Sequence, residues 1–231
     1  MLVTKENHNV SKEIFTKLLS QLPSLSGGTI FTLGTISKPI KGKDGLGGLI
    51  EEWVGAWAKL NKISIYDPKV EEGISQEFPD YYVGDCKDGY LEIKSFNSER
   101  SPAFDIANFE SYCESLAANP HKLFSDYLIF SYKLDGAKLK IINIWLKKIW
   151  EITCASKEFP LRTQNKRNVI YNIRPGSFQS LGKNKRYQTF TDPKEFVDAL
   201  YETEKKYNGN KKNENQFNIS LVSNGIDLNK I

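Results

Sequence analysis

Three side chains in one short stretch are able to do chemistry together. Pro79-Asp80 is followed, after eleven intervening residues, by Glu92-Ile93-Lys94. On a strand, Glu92 and Lys94 project from one face and Ile93 from the other. Asp80 opens the preceding strand, and an Asp88-Gly89 turn would fold the two strands into a hairpin that sets the Asp80 carboxylate beside Glu92. Two carboxylates converging at a sheet end make a hard oxygen site for Mg²⁺. A lysine ammonium next to them can orient a water or help deprotonate it, and can oppose developing negative charge. Hydrolysis of a phosphodiester needs these parts, because the attacked group is an anion and the nucleophile is water. The same residues also have a plain structural explanation. Glu-x-Lys on a strand can be a simple charge pair, and aspartate after proline is a common turn residue.

The elements that would position the trio can be read from periodicity. Residues 11–22 suit a short helix, with Ser11 as N-cap, Ile14, Leu18 and Leu22 on one face, and Pro23 as the stop. Residues 24–43 are rich in Ser, Gly, Thr and Lys, with one strand-like patch at 29–33. A helix from Asp44 to Leu60 carries Leu46, Leu49, Ile50, Trp53, Val54, Trp57 and Leu60 as an apolar stripe. Tyr81-Tyr82-Val83 and residues 90–96 are the hairpin strands. Asp105 to Ala117 reads as a helix, Tyr127 to Tyr132 and Leu139 to Leu146 as strands joined at Asp135-Gly136. Residues 155–168 read as a polar loop, and Val169 to Ile173 as a short strand. Asp192-Pro193-Lys194-Glu195 opens a helix with a cap, a proline in the first turn and a glutamate placed to cap back. Residues 217–222 are strand-like. This order predicts an α/β (α+β) fold, a central mixed sheet flanked by helices, in a single domain over residues 1–231.

Composition narrows the partners. The net charge of +4 is mild, but eight basic residues stand between Lys157 and Arg186 against one acid, Glu158. That stretch carries +7 and leaves about −3 for the remainder. One basic district on a near-neutral body suits a phosphate-bearing partner, although a solvated loop would have the same composition. No run of apolar residues is long enough for a membrane span, and the N-terminus lacks a signal-peptide core. The three cysteines, Cys86, Cys113 and Cys154, form neither a zinc pair nor a disulfide framework, as expected of a cytoplasmic protein. His8 and His121 have no metal or triad spacing and read as surface residues. There is no Gly-x-Ser-x-Gly elbow.

Taken with the hairpin, Pro79-Asp80 and Glu92-Ile93-Lys94 resemble the PD-(D/E)xK nuclease superfamily, over a core from about residue 44 to 146. Chain size and the segment from Val169 to Pro175, followed by a basic loop, resemble a bacterial type II restriction endonuclease. The resemblance implies Mg²⁺ as cofactor, with Asp80 and Glu92 as its ligands and Lys94 as the third catalytic residue. It implies sequence-specific cleavage of double-stranded DNA to 5′-phosphate and 3′-hydroxyl ends. Some members carry an additional acid on the preceding helix. Glu51 and Glu52 both qualify, because at about 100° per residue both turn away from the apolar stripe; Glu77 is a further candidate.

Base reading needs Arg, Lys, Asn and Gln donors that reach into a groove. Residues 155–190 are the expected recognition region, with Gln164, Asn165, Lys166, Arg167, Arg174, Lys183, Asn184, Lys185 and Arg186 as candidate contacts. Lys41, Lys43 and Asn97 are additional candidates. A palindromic site is read most simply by a homodimer, for which Trp145, Leu146 and Trp150 are candidate interface residues or, equally, core. Two alternatives remain at this stage: a repair or junction-resolving nuclease, and a non-catalytic nucleic-acid-binding module.

Overall fold

The computed structural model describes residues 5–40, 45–68, 78–85, 87, 89–167, 169–179 and 188–208. They group into two compact units. One is built from Thr4–Pro102 and Asp126–Lys147, the other from Ala103–Ser125 and the chain from Lys148 onward. The fold is mixed α/β, as the sequence predicts.

The first unit holds the trio. In chain order its elements are α1 (Lys5–Gln21), β1 (Ser26–Gly28), β2 (Ile30–Leu33), β3 (Ile36–Pro39), α2 (Leu46–Leu60), β4 (Ile65–Tyr66), β5 (Tyr81–Val83), β6 (Gly89–Asn97), β8 (Asp126–Asp135) and β9 (Lys138–Lys147). Six of the strands make one sheet, ordered β1-β9-β8-β6-β5-β4. All neighbours run antiparallel except β6 and β8, which are parallel from Leu91↔Asp126 to Asn97↔Tyr132. Strands β2 and β3 form a separate two-stranded ribbon.

Helices α1 and α2 pack on one face of the sheet. Ile14 and Leu18 of α1 join Leu46, Ile50, Val54 and Trp57 of α2 in a cluster with Leu91, Ile93, Leu128 and Phe130. Full burial of such side chains stabilises by roughly 1.5–3 kcal/mol each. Ile93 thus sits in apolar packing, as its place between Glu92 and Lys94 requires. The closest approach is between α2 and β5. A Cβ on Gly55 would lie 2.5 Å from Tyr81 Oη, and that hydroxyl donates to the Glu51 carbonyl at 2.9 Å.

The structure corrects several boundaries. Helix α1 begins at Lys5, so Ser11 is a buried position inside the helix and not its cap. The stretch before α2 holds three short strands where one patch was expected. Of the expected Asp88-Gly89 turn, Asp88 lies outside the described residues, and Gly89 belongs to β6, paired with Val83. The connection starts at residue 84, with Gly84 (φ 86°) and Lys87 (φ 55°) taking the left-handed conformations. The apolar stripe of α2 is split: Leu46, Ile50, Val54 and Trp57 are buried, whereas Leu49, Trp53 and Leu60 are exposed.

The second unit contains β7 (Ala107–Asn108), α3 (Phe109–Ala118), β10 (Thr163–Lys166), β11 (Val169–Ile173) and α4 (Pro193–Asn208), with β10-β11-β7 forming a small sheet. The helix expected from Asp105 starts only at Phe109. Ile106 N–H donates to the Ile173 carbonyl at 3.0 Å, and Ala107 and Asn108 pair with β11, which holds this stretch extended. Asn108 then caps the helix, accepting from Ser111 N–H at 3.0 Å. Residues 163–166 are a strand and not loop, because they pair with β11, with a bulge between Gln164 and Asn165. The α4 start follows its sequence signal: Asp192 Oδ1 accepts from Glu195 N–H at 2.9 Å. Residues 217–222, read as strand-like, lie outside the described residues.

The α2–β5 contact yields a paired test. Gly55→Ala should destabilise the chain by roughly 1–3 kcal/mol, because displacing the buried Tyr81 ring outweighs the gain in helix propensity. Gly48→Ala, in the same helix with nothing within 4 Å of its Cβ position, should stabilise by up to about 1 kcal/mol. Urea unfolding of the two variants checks both signs.

Candidate active site

The β5–β6 hairpin brings the predicted trio together. Tyr81 pairs with Leu91, which sets Asp80 opposite Glu92 on the face turned away from the helical core. Two reciprocal hydrogen bonds fix the pair. Asp80 N–H donates to Glu92 Oε2 at 3.3 Å, and Ile93 N–H donates to Asp80 Oδ2 at 2.7 Å. Lys94 Nζ reaches back along the strand to Glu92 Oε1 at 2.7 Å. Glu92 is only 6% exposed; Asp80 and Lys94 are half-buried.

This confinement shows in the titration of the groups. Burial, reinforced by the Glu92 charge, pushes the Asp80 carboxyl up to about 7, against the lowering pull of Lys94. For Lys94 burial acts downward, but the Glu92 and Asp80 carboxylates outweigh it and raise the ammonium above its ordinary value. At neutral pH the site therefore holds a firm lysine cation beside two crowded carboxyl groups, a site short of positive charge.

The structure distinguishes the two helix acids that the sequence could not. Glu51 is half-buried and Glu52 exposed, and the Glu51 charge acts on Asp80, Tyr81 and Lys94. Tyr81 enters the sequence reading only as a strand residue, yet its hydroxyl pins the Glu51 backbone against β5. The signal was Gly55, a glycine inside an otherwise strong helix. Glu77 lies outside the described residues. Among those residues, no cluster of three or more His, Cys, Asp or Glu side chains has metal-holding geometry.

The candidate DNA contacts have varied settings. Gln164, Asn165, Lys166 and Arg167 line one hairpin: Lys166 and Arg167 are exposed at its turn, where Arg167 has φ 51°. Asn172 Nδ2 donates to Gln164 Oε1 at 3.1 Å, and Asn165 Nδ2 donates to Glu158 Oε2 at 2.8 Å. Arg174 is ion-paired with Asp105 and donates to the Ala103 carbonyl at 2.9 Å. Asn97 Oδ1 accepts from Glu99 N–H at 2.9 Å in a local turn. Lys41, Lys43, Lys183, Asn184, Lys185 and Arg186 lie outside the described residues. His8, read as a surface residue, is hydrogen-bonded through Nδ1 to the buried Asp126 carboxylate at 2.9 and 3.2 Å; His121 is half-buried. Trp145 stacks on Phe96 and Trp150 meets Phe124 edge-on.

The model of the NgoBV restriction endonuclease family matches residues 8–225. The chain belongs to the NgoBV restriction endonuclease family. It is 36% identical over 198 residues to the type II restriction enzyme NlaIV of Neisseria lactamica, spanning 84% of this chain and 79% of that enzyme. It is 31% identical over 164 residues to the type II restriction enzyme NgoBV of Neisseria gonorrhoeae, spanning 68% of this chain and 90% of that one. The solved NlaIV restriction endonuclease superposes with a TM-score of 0.81 at 31% identity, over 93% of this chain and 89% of that one. This member of the family is accordingly a type II restriction endonuclease, a site-specific deoxyribonuclease. The resemblance drawn from its sequence motif is borne out.

Asp80 gives a stability test on the metal-free protein. A carboxyl whose folded-state pKa is raised binds its proton more tightly when folded. Its stabilising effect is complete below about pH 4 and is lost as pH rises through about 7. Asp80→Asn removes that loss. In chelator, urea unfolding should show the variant more stable than wild type by roughly 2–4 kcal/mol at pH 8 and indistinguishable near pH 4. Parallel stability curves across this range would refute the assignment of the strain to Asp80.

Proposed function

We propose that this enzyme cuts double-stranded DNA at a short specific sequence with Asp80, Glu92 and Lys94 as its catalytic residues and Mg²⁺ as its cofactor. The observation that carries this reading is the reciprocal bonding of Asp80 and Glu92 across the hairpin, with the Lys94 ammonium 2.7 Å from Glu92. The donor set suits a hard divalent cation: two adjacent carboxylates, one of them held up to about pH 7 by burial and its neighbour. When bound, such an ion neutralises the scissile phosphate and makes a coordinated water more acidic.

The chain's own residues divide the remaining work. Asp80 and Glu92 supply the anionic oxygens and hold them in fixed relation. Lys94 stays protonated and serves as an oriented donor, placing the attacking water and opposing charge that builds on phosphorus oxygens. Water adds to phosphorus and the bond to the 3′ oxygen breaks, leaving 5′-phosphate and 3′-hydroxyl ends. Glu51 is the additional acid this arrangement favours, because its charge reaches Asp80 and Lys94. We assign sequence reading to residues 155–190, with the β10–β11 hairpin as the part that enters a groove, since a two-stranded ribbon fits the major groove. Lys166 and Arg167 at its turn are suited to phosphates or base edges. Lys41, Lys43 and the cluster from Lys183 to Arg186 would track the backbone. The two compact units serve one nuclease activity, working in the cytoplasm as a homodimer that cuts one strand per subunit. No helix among the described residues is long and apolar enough to cross a membrane.

Plasmid DNA incubated with the protein and Mg²⁺ should give discrete bands, and a chelator should stop the reaction. Asp80→Ala and Lys94→Ala should each lower cleavage by at least about a thousandfold while salt-dependent DNA binding and the folded circular dichroism spectrum are kept. Full activity in either variant would remove these residues from the mechanism.

A further inference from the structure

Helix α2 has two apolar faces, and only one is used in the core. The second runs through Leu49, Trp53, Ala56 and Leu60, all exposed, with Leu49 49%, Trp53 40% and Leu60 84% open. Their 4-3-4 spacing keeps them within an arc of about 60°, the seam by which one helix packs on another. A second apolar element stands out on the same unit. In the β2–β3 ribbon, Phe31 pairs with Lys38 and Leu33 with Ile36, so Phe31, Leu33 and Ile36 share one face, 58–73% exposed. The other face carries the Thr32–Ser37 hydroxyl pair at 2.8 Å. A groove of about 310 Å³ joins ribbon to seam, reaching from Thr29 at the ribbon's base to Leu49 and Trp53, with Phe130 and Ile141 in its lining.

We propose that the α2 seam, the groove and the apolar face of the ribbon form one surface, and that a second copy of this chain covers it. The proposal rests on the homodimer reading given above and assigns its interface. Area supports a self-contact. The exposed fractions of Phe31, Leu33, Ile36, Leu49, Trp53 and Leu60 leave on the order of 700 Å² open. That exceeds the roughly 300–600 Å² of the largest patch on an ordinary monomer and approaches the roughly 800 Å² each partner contributes to a stable complex. Shape supports it as well. A projecting ribbon and a groove on the same unit let each copy give and receive the same contact about a two-fold axis, so the assembly closes at two. The seam lies on the helix that bears Glu51, so dimer formation would brace the helix that flanks both catalytic hairpins.

The test uses the full-length chain without DNA. Sedimentation velocity from nanomolar to micromolar concentration should show a wild-type dimer. Leu49→Glu with Leu60→Glu, and separately Leu33→Ser with Ile36→Ser, should raise the monomer–dimer Kd by at least about a hundredfold. Circular dichroism should stay near wild type, because these side chains are exposed in the fold of the single chain. Leu60→Ser, at the most open position, keeps the test decisive if a double variant does not fold. A wild-type monomer throughout the range overturns the proposal together with the homodimer reading. A dimer indifferent to every variant overturns the interface and leaves the homodimer standing. Variants that remain dimeric but lose salt-dependent DNA binding would assign the surface to DNA and overturn the proposal. So would a chain that dimerises only after residues 209–231 are removed, since the tail would then be what covers the seam.

Discussion

Two carboxylates side by side in a poorly hydrated site repel each other, and every other feature near this site can be read as what makes that proximity tolerable. Asp80 and Glu92 each accept a backbone N–H from the other's strand, so the polypeptide itself supplies part of the missing solvation. Lys94 supplies a full positive charge from two residues away. The balance is still incomplete: burial first, and the Glu92 charge second, push the Asp80 carboxyl up to about 7. A divalent cation of the kind proposed above would relieve that strain. Reading the trio only as a stabilising charge pair explains less. An ion pair of Glu92 and Lys94 needs no second carboxylate, and placing Asp80 there costs stability at neutral pH.

Register makes the arrangement possible. With Tyr81 opposite Leu91, the apolar members of the hairpin face α1 and α2, and the charged members face the other way. A one-residue slip would turn Glu92 and Lys94 into the core and Ile93 out of it, so burial of Ile93 and Leu91 enforces the geometry of the trio. The parallel pairing of β6 with β8 holds the far side of the strand. There, Asp126 begins β8 opposite Leu91 and is itself fixed by His8 of α1. A helix at the start of the chain is thereby tied to the strand next to the active site, by a histidine whose role no local sequence pattern could have signalled.

The sequence was most legible where chemistry and periodicity coincide. The trio, the alternation around Ile93 and the capped start at Asp192 depend on neighbours within a few residues, and all appear as read; the turn read at Asp135-Gly136 falls one residue later, at Gly136-Ala137, because Asp135 still pairs with Lys138. It was least legible where distant strands compete for the backbone. Ile106 to Asn108 carry helical spacing but are claimed by β11. Thr163 to Lys166 are all polar and lack the apolar alternation of a half-buried strand, yet β11 pairs with them too. The helix acids were ambiguous because an angular projection places residues around an axis, not relative to a neighbouring strand. The Tyr81 hydroxyl bond to the Glu51 carbonyl supplies that missing relation.

Helix α2 shows why an apolar stripe does not by itself identify a core. Its seven large apolar residues fit one broad stripe in sequence, yet the sheet can cover only part of that arc, and Leu46, Ile50, Val54 and Trp57 take it. Leu49, Trp53 and Leu60 remain 49%, 40% and 84% exposed in the monomer. In a helix that also sets Glu51 near the Asp80–Glu92 hairpin, they fit the contact with a second copy proposed above. The same helix then has three constraints on three sides: an apolar face against the sheet, a glycine where Tyr81 enters, and an exposed seam. Three demands on one helix limit what each position can accept, and they leave the strict space at Gly55 as the point where the packing of α2 and the geometry of the active site meet.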